Sequence, residues 1–183
     1  EAPVQQPGAC SRMTQDADRA ALLAAGTDLL NREALYLDEQ RRADWLALYR
    51  EDCIFWAPAW KTDTELTNDH IREISIFYFK SRAGLEDRVW RIESGEAPSL
   101  NPLPRTTHTI SNSVLGEGAS ADAMTLHSAW TCHVYFLRNR TQHVFFGRRS
   151  DDLVRTDDGW RIQRKKVVLM NDYVPAIIDV FCV

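Results

Sequence analysis

From Arg105 onward, β-patterned runs alternate with turn signals, and this regularity limits the possible fold more than any other feature of the sequence. The runs predict four strands, at Arg105–Leu115, Ala123–Arg138, Thr141–Arg155 and Trp160–Met170. Short stretches containing Gly, Asn or Asp separate consecutive runs and are typical of hairpin connections. The second half of the chain is therefore expected to form an antiparallel meander.

The first half of the chain has mainly helical patterns. Apolar side chains recur at helical spacing over about Asp16–Asp38, and shorter helical patterns cover about Ala43–Tyr49 and Ala83–Ser94. Two strands are predicted between them, at Cys53–Trp60 and Ile74–Phe79. Helices followed by a meander predict an α+β fold, in which the helices pack on one face of a curved sheet.

The length suits one domain with a sizeable core, since the chain has 183 residues. We expect residues 1–15 to form a flexible N-terminal tail and residues 16–183 to form the domain. The formal net charge of −4 gives no positive field that would attract nucleic acid or an anionic membrane. No apolar run approaches the roughly 20 residues that a membrane span needs. Neither kind of partner is expected.

The four cysteines are widely spaced and include no CxxC pair. Small secreted domains that depend on disulfides have denser cysteines. We therefore expect reduced thiols in a cytoplasmic protein, with Cys53 and Cys132 buried in strands.

The histidines do not form a metal-binding pattern. His127 and His133 share one face of a predicted strand but lie about 20 Å apart along it. A turn centred on Asn139–Arg140 pairs His143 near Phe136, which places His133 and His143 on opposite faces. Nucleotide, phosphate-loop and serine-hydrolase motifs are also absent, and Cys132–His133 has no second Cys–His pair with which to hold a Rieske cluster. We expect no catalytic, cofactor-binding or metal-binding residue in this chain.

Two other features have open interpretations. The short basic runs at 148–149 and 164–166 are expected to be solvated or interface strand faces. Trp56 and Trp60 flank a proline turn, where they could belong either to the core or to a protein interface. Pro58 is expected to end its strand or to place that strand at a sheet edge.

Five segments of the chain, taken together and in order, resemble the small (β) subunit of bacterial aromatic-ring-hydroxylating dioxygenases. The resemblance is strongest to the benzoate, anthranilate and salicylate group, and it covers the chain from about Leu29 to its C-terminus. The segments are EALYLDEQRRADWLALYREDCIFWAPAW (33–60), SRAGLEDRVWRI (81–92), PLPRTTHTISN (102–112), FGRRSDDLVR (146–155) and VVLMNDYVPAIIDVF (167–181).

This resemblance implies a cone-shaped α+β fold like that of nuclear transport factor 2 and scytalone dehydratase. It implies a hetero-oligomer with a large α subunit, commonly α3β3. The α subunit would hold a Rieske [2Fe–2S] cluster and a mononuclear Fe(II), and NAD(P)H would supply electrons through a reductase, in some members with a ferredoxin. The assembly would add dioxygen to an aromatic compound during its degradation in the bacterial cytoplasm, with an aromatic carboxylate favoured. The β subunit would be mainly structural.

On this interpretation, His108 is a structural residue of its strand, hydrogen-bonded locally or to a neighbouring subunit. Exposed Trp and Arg side chains often anchor interfaces. The residues predicted to contact other subunits are Trp56, Trp60, Arg82, Arg88, Arg105 and His108.

Two other hypotheses remain open. The chain could be a free-standing dehydratase or isomerase of the same cone fold, with an acid–base pair drawn from His108, Asp38, Tyr49 and His127. That hypothesis requires at least one pair within hydrogen-bonding reach, and a cone filled with apolar side chains would exclude it. The chain could also be a binding module that uses its Trp-rich turn.

Overall fold

A six-stranded sheet with helices on one face forms the structure, a computed structural model. It describes residues 9–95, 101–171, 174 and 178–183, and their side chains from residue 15 onward. The elements are α1 (Ala9–Asp38), α2 (Arg42–Ala47), β1 (Tyr49–Pro58), β2 (Ser75–Phe79), α3 (Arg82–Glu93), β3 (Arg105–Leu115), β4 (Ala123–Phe136), β5 (Thr141–Thr156) and β6 (Gly159–Leu169), followed by a short 3-10 helix at Val180–Cys182.

The strand order is β2-β1-β6-β5-β4-β3. All neighbouring strands are antiparallel except β1 and β6, which are parallel. The predicted meander therefore forms four consecutive strands of the sheet, β3 to β6, and β1 and β2 extend the sheet beyond β6. This arrangement confirms the predicted α+β fold with a mainly antiparallel sheet.

The first strand differs from its prediction. It begins at Tyr49 rather than Cys53, because the buried Tyr49 ring already points into the core, and α2 accordingly ends at Ala47. Pro58 does end the strand, but β1 lies inside the sheet, between β2 and β6. A bulge between Ala57 and Pro58 accommodates the proline at the last position of the strand.

Helix α1 begins at Ala9, so residues 9–15, which the sequence assigns to the flexible tail, are helical. The breakers Pro7 and Gly8 precede this start, and no proline or glycine interrupts residues 9–15. Residues 1–8 lie outside the described part of the chain.

The core lies between the helices and the inner face of the sheet. On β4 the even-numbered residues from Met124 to Val134 are buried, while the odd-numbered residues face outward. Gly26 lets α1 approach this face closely, since a Cβ at that position would lie 2.3 Å from Leu126 Cδ1. Cys53 and Cys132 are both buried, as predicted. None of the helices in the described ranges combines the length and the apolar composition that a membrane-spanning helix needs.

Candidate functional site

Five polar side chains from four elements meet inside the core. Helix α1 contributes Glu33, β1 contributes Tyr49, β5 contributes Arg149 and Asp151, and β6 contributes Lys165. Each of the five is buried, with at most 5% of its surface exposed. We call this group the buried charge network.

Glu33 is the centre of the buried charge network. One carboxylate oxygen accepts hydrogen bonds from Lys165 Nζ at 2.8 Å and from the Tyr49 hydroxyl. The other accepts from Arg149 Nη2 at 2.6 Å. Arg149 also donates two hydrogen bonds to Asp151, both at 2.7 Å. Two carboxylates thus balance two cations, as buried charges require.

The electrostatics of the network shift the pKa values of Glu33, Tyr49 and Lys165. Burial raises the pKa of Glu33, but the charges of Arg149 and Lys165 outweigh this and hold the pKa well below its usual range. Burial and the nearby Glu33 charge raise the pKa of Tyr49 well above its usual value, so its hydroxyl stays protonated and donates. Burial, together with repulsion by Arg149, lowers the pKa of Lys165 to about 8. These groups bind one another, and the arrangement fastens α1 to the sheet.

A second polar group lies where the end of α1 meets β3. Asp38 accepts hydrogen bonds from the Thr106 hydroxyl at 2.9 Å and from the His108 backbone N–H at 2.8 Å. Its Oδ1 also lies 2.6 Å from His108 Nδ1. Burial raises the pKa of Asp38, but the hydrogen bonds from His108 and Thr106 hold it below its usual value. The carboxylate therefore ties the last turn of α1 to the edge strand.

This pair answers part of the acid–base hypothesis. Asp38 and His108 lie within hydrogen-bonding reach, as that hypothesis requires. The other two candidates lie elsewhere, since Tyr49 belongs to the buried charge network and His127 is exposed on the outer face of β4. The His108 side chain is only 2% exposed. Its Nε2 is buried and has no hydrogen-bond partner in the described part of the chain. Because the interior contains polar side chains and is not purely apolar, it does not exclude the acid–base hypothesis. The Asp38–His108 pair alone does not decide between that hypothesis and the subunit hypothesis.

The two tryptophans of the proline turn satisfy their indole donors within the chain. Trp56 is 4% exposed and donates to Ser75 Oγ at 2.9 Å, while the Lys166 ammonium lies 4.6 Å from its ring centroid. Trp60 is half-buried and donates to the Leu169 carbonyl at 2.7 Å. Trp56 therefore leaves little surface for a partner.

The other interface candidates are scattered over the molecule. On α3, Arg82 bonds Glu86 at 2.8 Å and Arg88 bonds Asp179 at 2.8 Å. Arg105 is exposed at the start of the edge strand β3. The six candidates form no single patch, and their contacts with other subunits stay predictions.

The described histidines and cysteines do not fit a metal or iron–sulfur site. His143 pairs with Val134, whereas the sequence predicted a partner near Phe136. Because this register shift is two residues, an even number, His133 and His143 still lie on opposite faces of the sheet, as expected. Among the residues of known placement, no three His, Cys, Asp or Glu side chains converge as metal ligands. Burial raises the pKa of Cys53 to about 11 and that of Cys182 to about 12, which disfavours the thiolate form that ligates metals.

The sequence reasoning missed the buried charge network. It interpreted both basic runs as solvated or interface faces, which is right for Arg148 and wrong for Arg149 and Lys165. The signal was present, because Arg149 has the same strand parity as the buried Phe145 and Leu153.

Comparison with known proteins gives one consistent family. The model of the family described as "Ring hydroxylating beta subunit" matches residues 32–176. The toluate 1,2-dioxygenase subunit beta of Pseudomonas putida is 40% identical over 154 residues, which cover 84% of this chain and 93% of that protein. The crystal structure of the benzoate 1,2-dioxygenase beta subunit of Burkholderia mallei superposes with a TM-score of 0.72 at 33% identity, covering 87% of this chain and 96% of that one.

A more distant structure shares the fold alone. The hexachlorocyclohexane dehydrochlorinase of Novosphingobium barchaimii superposes with a TM-score of 0.59 at 17% identity, over 90% of this chain and 96% of that one. The cone-shaped, nuclear transport factor 2-like fold implied by the sequence resemblance is thereby confirmed. Because the family model spans most of the chain and the identity to a β subunit reaches 40%, this protein belongs to the ring-hydroxylating beta subunit family.

Proposed function

We propose that this chain is the small, mainly structural subunit of the terminal oxygenase of an aromatic-ring-hydroxylating dioxygenase, and that the substrate is an aromatic carboxylate. The observation that carries the proposal is the 40% identity to the toluate 1,2-dioxygenase subunit beta, over most of both chains. Similarity to the beta subunit of benzoate 1,2-dioxygenase, at 33% identity, supports the same substrate class.

The interior of the chain supports a structural role. The residues of the buried charge network are hydrogen-bonded to one another, Lys165 also donates to the Val183 oxygen, and Asp38 fastens α1 to β3. The described residues do not fit an iron site, so the Rieske [2Fe–2S] cluster and the mononuclear Fe(II) would belong to a large α subunit. In this proposal the assembly is an α3β3 hexamer in the bacterial cytoplasm, and NAD(P)H supplies electrons through a reductase, with or without a ferredoxin.

The proposal extends to the parts of this chain. Residues 16–183 act as one domain, and the exposed Arg105 is the best placed of the six predicted interface residues. Neither nucleic acid nor a membrane is a partner.

The test is a gentle purification of the tagged chain from its natural host, followed by subunit analysis and a visible spectrum. We expect a larger chain with Rieske-type Cys–His motifs, identified by mass spectrometry, and the absorbance of an iron–sulfur protein. A colourless homo-oligomer without that larger chain would contradict the proposal.

A free-standing dehydratase or isomerase is the second candidate, and the Asp38–His108 pair is the observation that favours it. A structural role accounts for the same pair, because Asp38 also accepts hydrogen bonds from the His108 backbone N–H and from the Thr106 hydroxyl. The family match favours the subunit over this alternative.

A further inference from the structure

The outward-facing side of β3–β6 is a surface whose role the proposed function leaves open. The described parts of the helices pack on the other side of the sheet, where the core lies. We call the outward-facing side of these four strands the outer face.

The strand register defines the outer face row by row. One row runs from Val114 through His127 and Ser150 to Lys166, since each residue pairs with the next across neighbouring strands. The adjacent row runs through Ser111, Ala129, Arg148 and Val168. Further along β4 and β5, the row of Thr131 and Phe146 and the row of His133 and Val144 continue the same surface.

The outer face exposes apolar side chains at positions where a sheet face in contact with solvent ordinarily has polar ones. Val114 is 58% exposed, Phe146 46%, Val144 38% and Tyr135 37%. They are distributed over the three neighbouring strands β3, β4 and β5, so they belong to one surface. Grouped exposed apolar residues with polar neighbours are typical of a protein interaction site.

Cations lie among these apolar side chains. Arg148 is exposed and has no hydrogen bond or ion pair within the described part of the chain. Lys166 lies over the Trp56 ring, and Arg164 is exposed two residues earlier on β6. The one carboxylate on this stretch of the outer face is Asp152, which accepts from the Thr125 hydroxyl at 2.8 Å. The outer face is thus locally positive on a chain whose net charge is −4.

A trough on the outer face brings the two properties together. It has a volume of about 550 Å³, and Val114, His127, Ala129, Arg148, Lys166 and Val168 are among its lining residues. The cations Arg148 and Lys166 thus line the same trough as the apolar side chains of Val114, Ala129 and Val168. A carboxylate flanked by apolar side chains complements this combination, because both charge and shape are then matched.

We infer that the outer face docks a non-identical polypeptide that presents carboxylates between apolar side chains. A second copy in a two-fold, face-to-face arrangement is disfavoured, since it would bring Arg148 and Lys166 of one copy close to the same cations of the other, and like charges repel. The inference rests on the proposed function for the identity of the partner, which is then the large oxygenase subunit.

The test is charge reversal at the exposed Arg148 in the tagged full chain, expressed with the large chain that co-purifies with the wild type. We expect Arg148→Glu to weaken capture of the large chain at least tenfold, and Arg148→Lys to retain it within about threefold. Val114→Glu provides an independent test at the other end of the trough and should also weaken capture. The matched control is Arg91→Glu, which reverses an exposed arginine on α3 and should leave capture unchanged.

Thermal unfolding of each variant separates folding from docking. Arg148→Glu should unfold within about 2 °C of the wild type, because the substituted side chain is exposed and unpaired. If a folded Arg148→Glu variant and a folded Val114→Glu variant both capture the large chain at wild-type strength, the docking inference is overturned while the proposed function stands. If the variants lose only self-association, the occupant is a second copy and the inference is again overturned. If the wild type itself captures no large chain, the proposed function fails first.

Discussion

Replacing Glu33 with Gln removes the carboxylate on which the buried charge network depends. Lys165 Nζ and Arg149 Nη2 would then keep their positive charges inside the core, with Asp151 as the remaining carboxylate of the buried charge network. All these groups are at most 5% exposed, so solvent does not screen the imbalance. We expect a loss of about 3–5 kcal/mol in the free energy of unfolding, the usual cost of removing one partner of a buried ion pair.

The double variant Glu33→Gln, Lys165→Met tests the reason for that loss. It removes one negative and one positive charge, which restores neutrality around Arg149 and Asp151. Its destabilisation should therefore be smaller than the sum of the two single variants by about 1 kcal/mol or more.

The assay is urea unfolding followed by circular dichroism and by tryptophan fluorescence, with Glu117→Gln as a control at an exposed turn. For a chain of this length, a loss of 3–5 kcal/mol corresponds to a fall in Tm of about 6–20 °C. The reasoning would be refuted by a Glu33→Gln variant within about 1 kcal/mol of the control, or by single-variant losses that simply add.

Three further predictions concern other parts of the chain. The pKa of Asp38 in the folded chain lies below its usual value of 3.8. The ionised carboxylate therefore stabilises the fold fully above pH 3.8, and this stabilisation is lost as the pH falls through the folded-state pKa. The difference in the free energy of unfolding between wild type and Asp38→Asn should therefore shrink in unfolding curves taken below pH 3.8. Gly147→Ala would place a Cβ 1.9 Å from the Val168 carbonyl oxygen, and it should lower the free energy of unfolding in urea by about 3 kcal/mol. The control variant Ser150→Ala should lower it by less than about 0.5 kcal/mol. The thiols of Cys53, Cys132 and Cys182, which are buried, should resist iodoacetamide until urea unfolds the chain, as followed by peptide mass spectrometry. Rapid labelling of these thiols in the folded chain would contradict their burial.

Strand and helix periodicity predicted most of the fold because apolar alternation on β4 to β6 follows real burial. The failures lie where charged residues occupy inward positions. Arg149 and Lys165 look like surface residues in sequence, and only the pairing of β5 with β6 and the position of α1 bring Glu33 within reach of both. A single sequence does not report such long-range neutralisation, since the partners lie 116 and 132 residues apart.

The sequence predicted a structural role for His108 but did not predict that Asp38 is its partner. A structural strand histidine, hydrogen-bonded locally or to a neighbouring subunit, was expected, and Asp38 was named only as a candidate for a different hypothesis. The two residues are 70 positions apart, and the contact depends on where α1 ends against the edge strand. The interface candidates stay predictions, because side-chain type indicates what an interface uses but not which face of the sheet a residue occupies. Trp56, for example, packs against Lys166 and donates to Ser75.

In the proposed role, the polar interior of this chain holds the fold together and takes no part in the oxygenase reaction. The most direct test is turnover per iron by the intact oxygenase assembly that contains the Asp38→Asn variant, measured as NAD(P)H-dependent consumption of dioxygen with an aromatic carboxylate. We expect less assembled enzyme but a turnover per iron within about twofold of the wild type. A fully assembled enzyme whose turnover per iron falls a hundredfold or more would contradict it, and Asp38 and His108 would then have to act in the reaction itself.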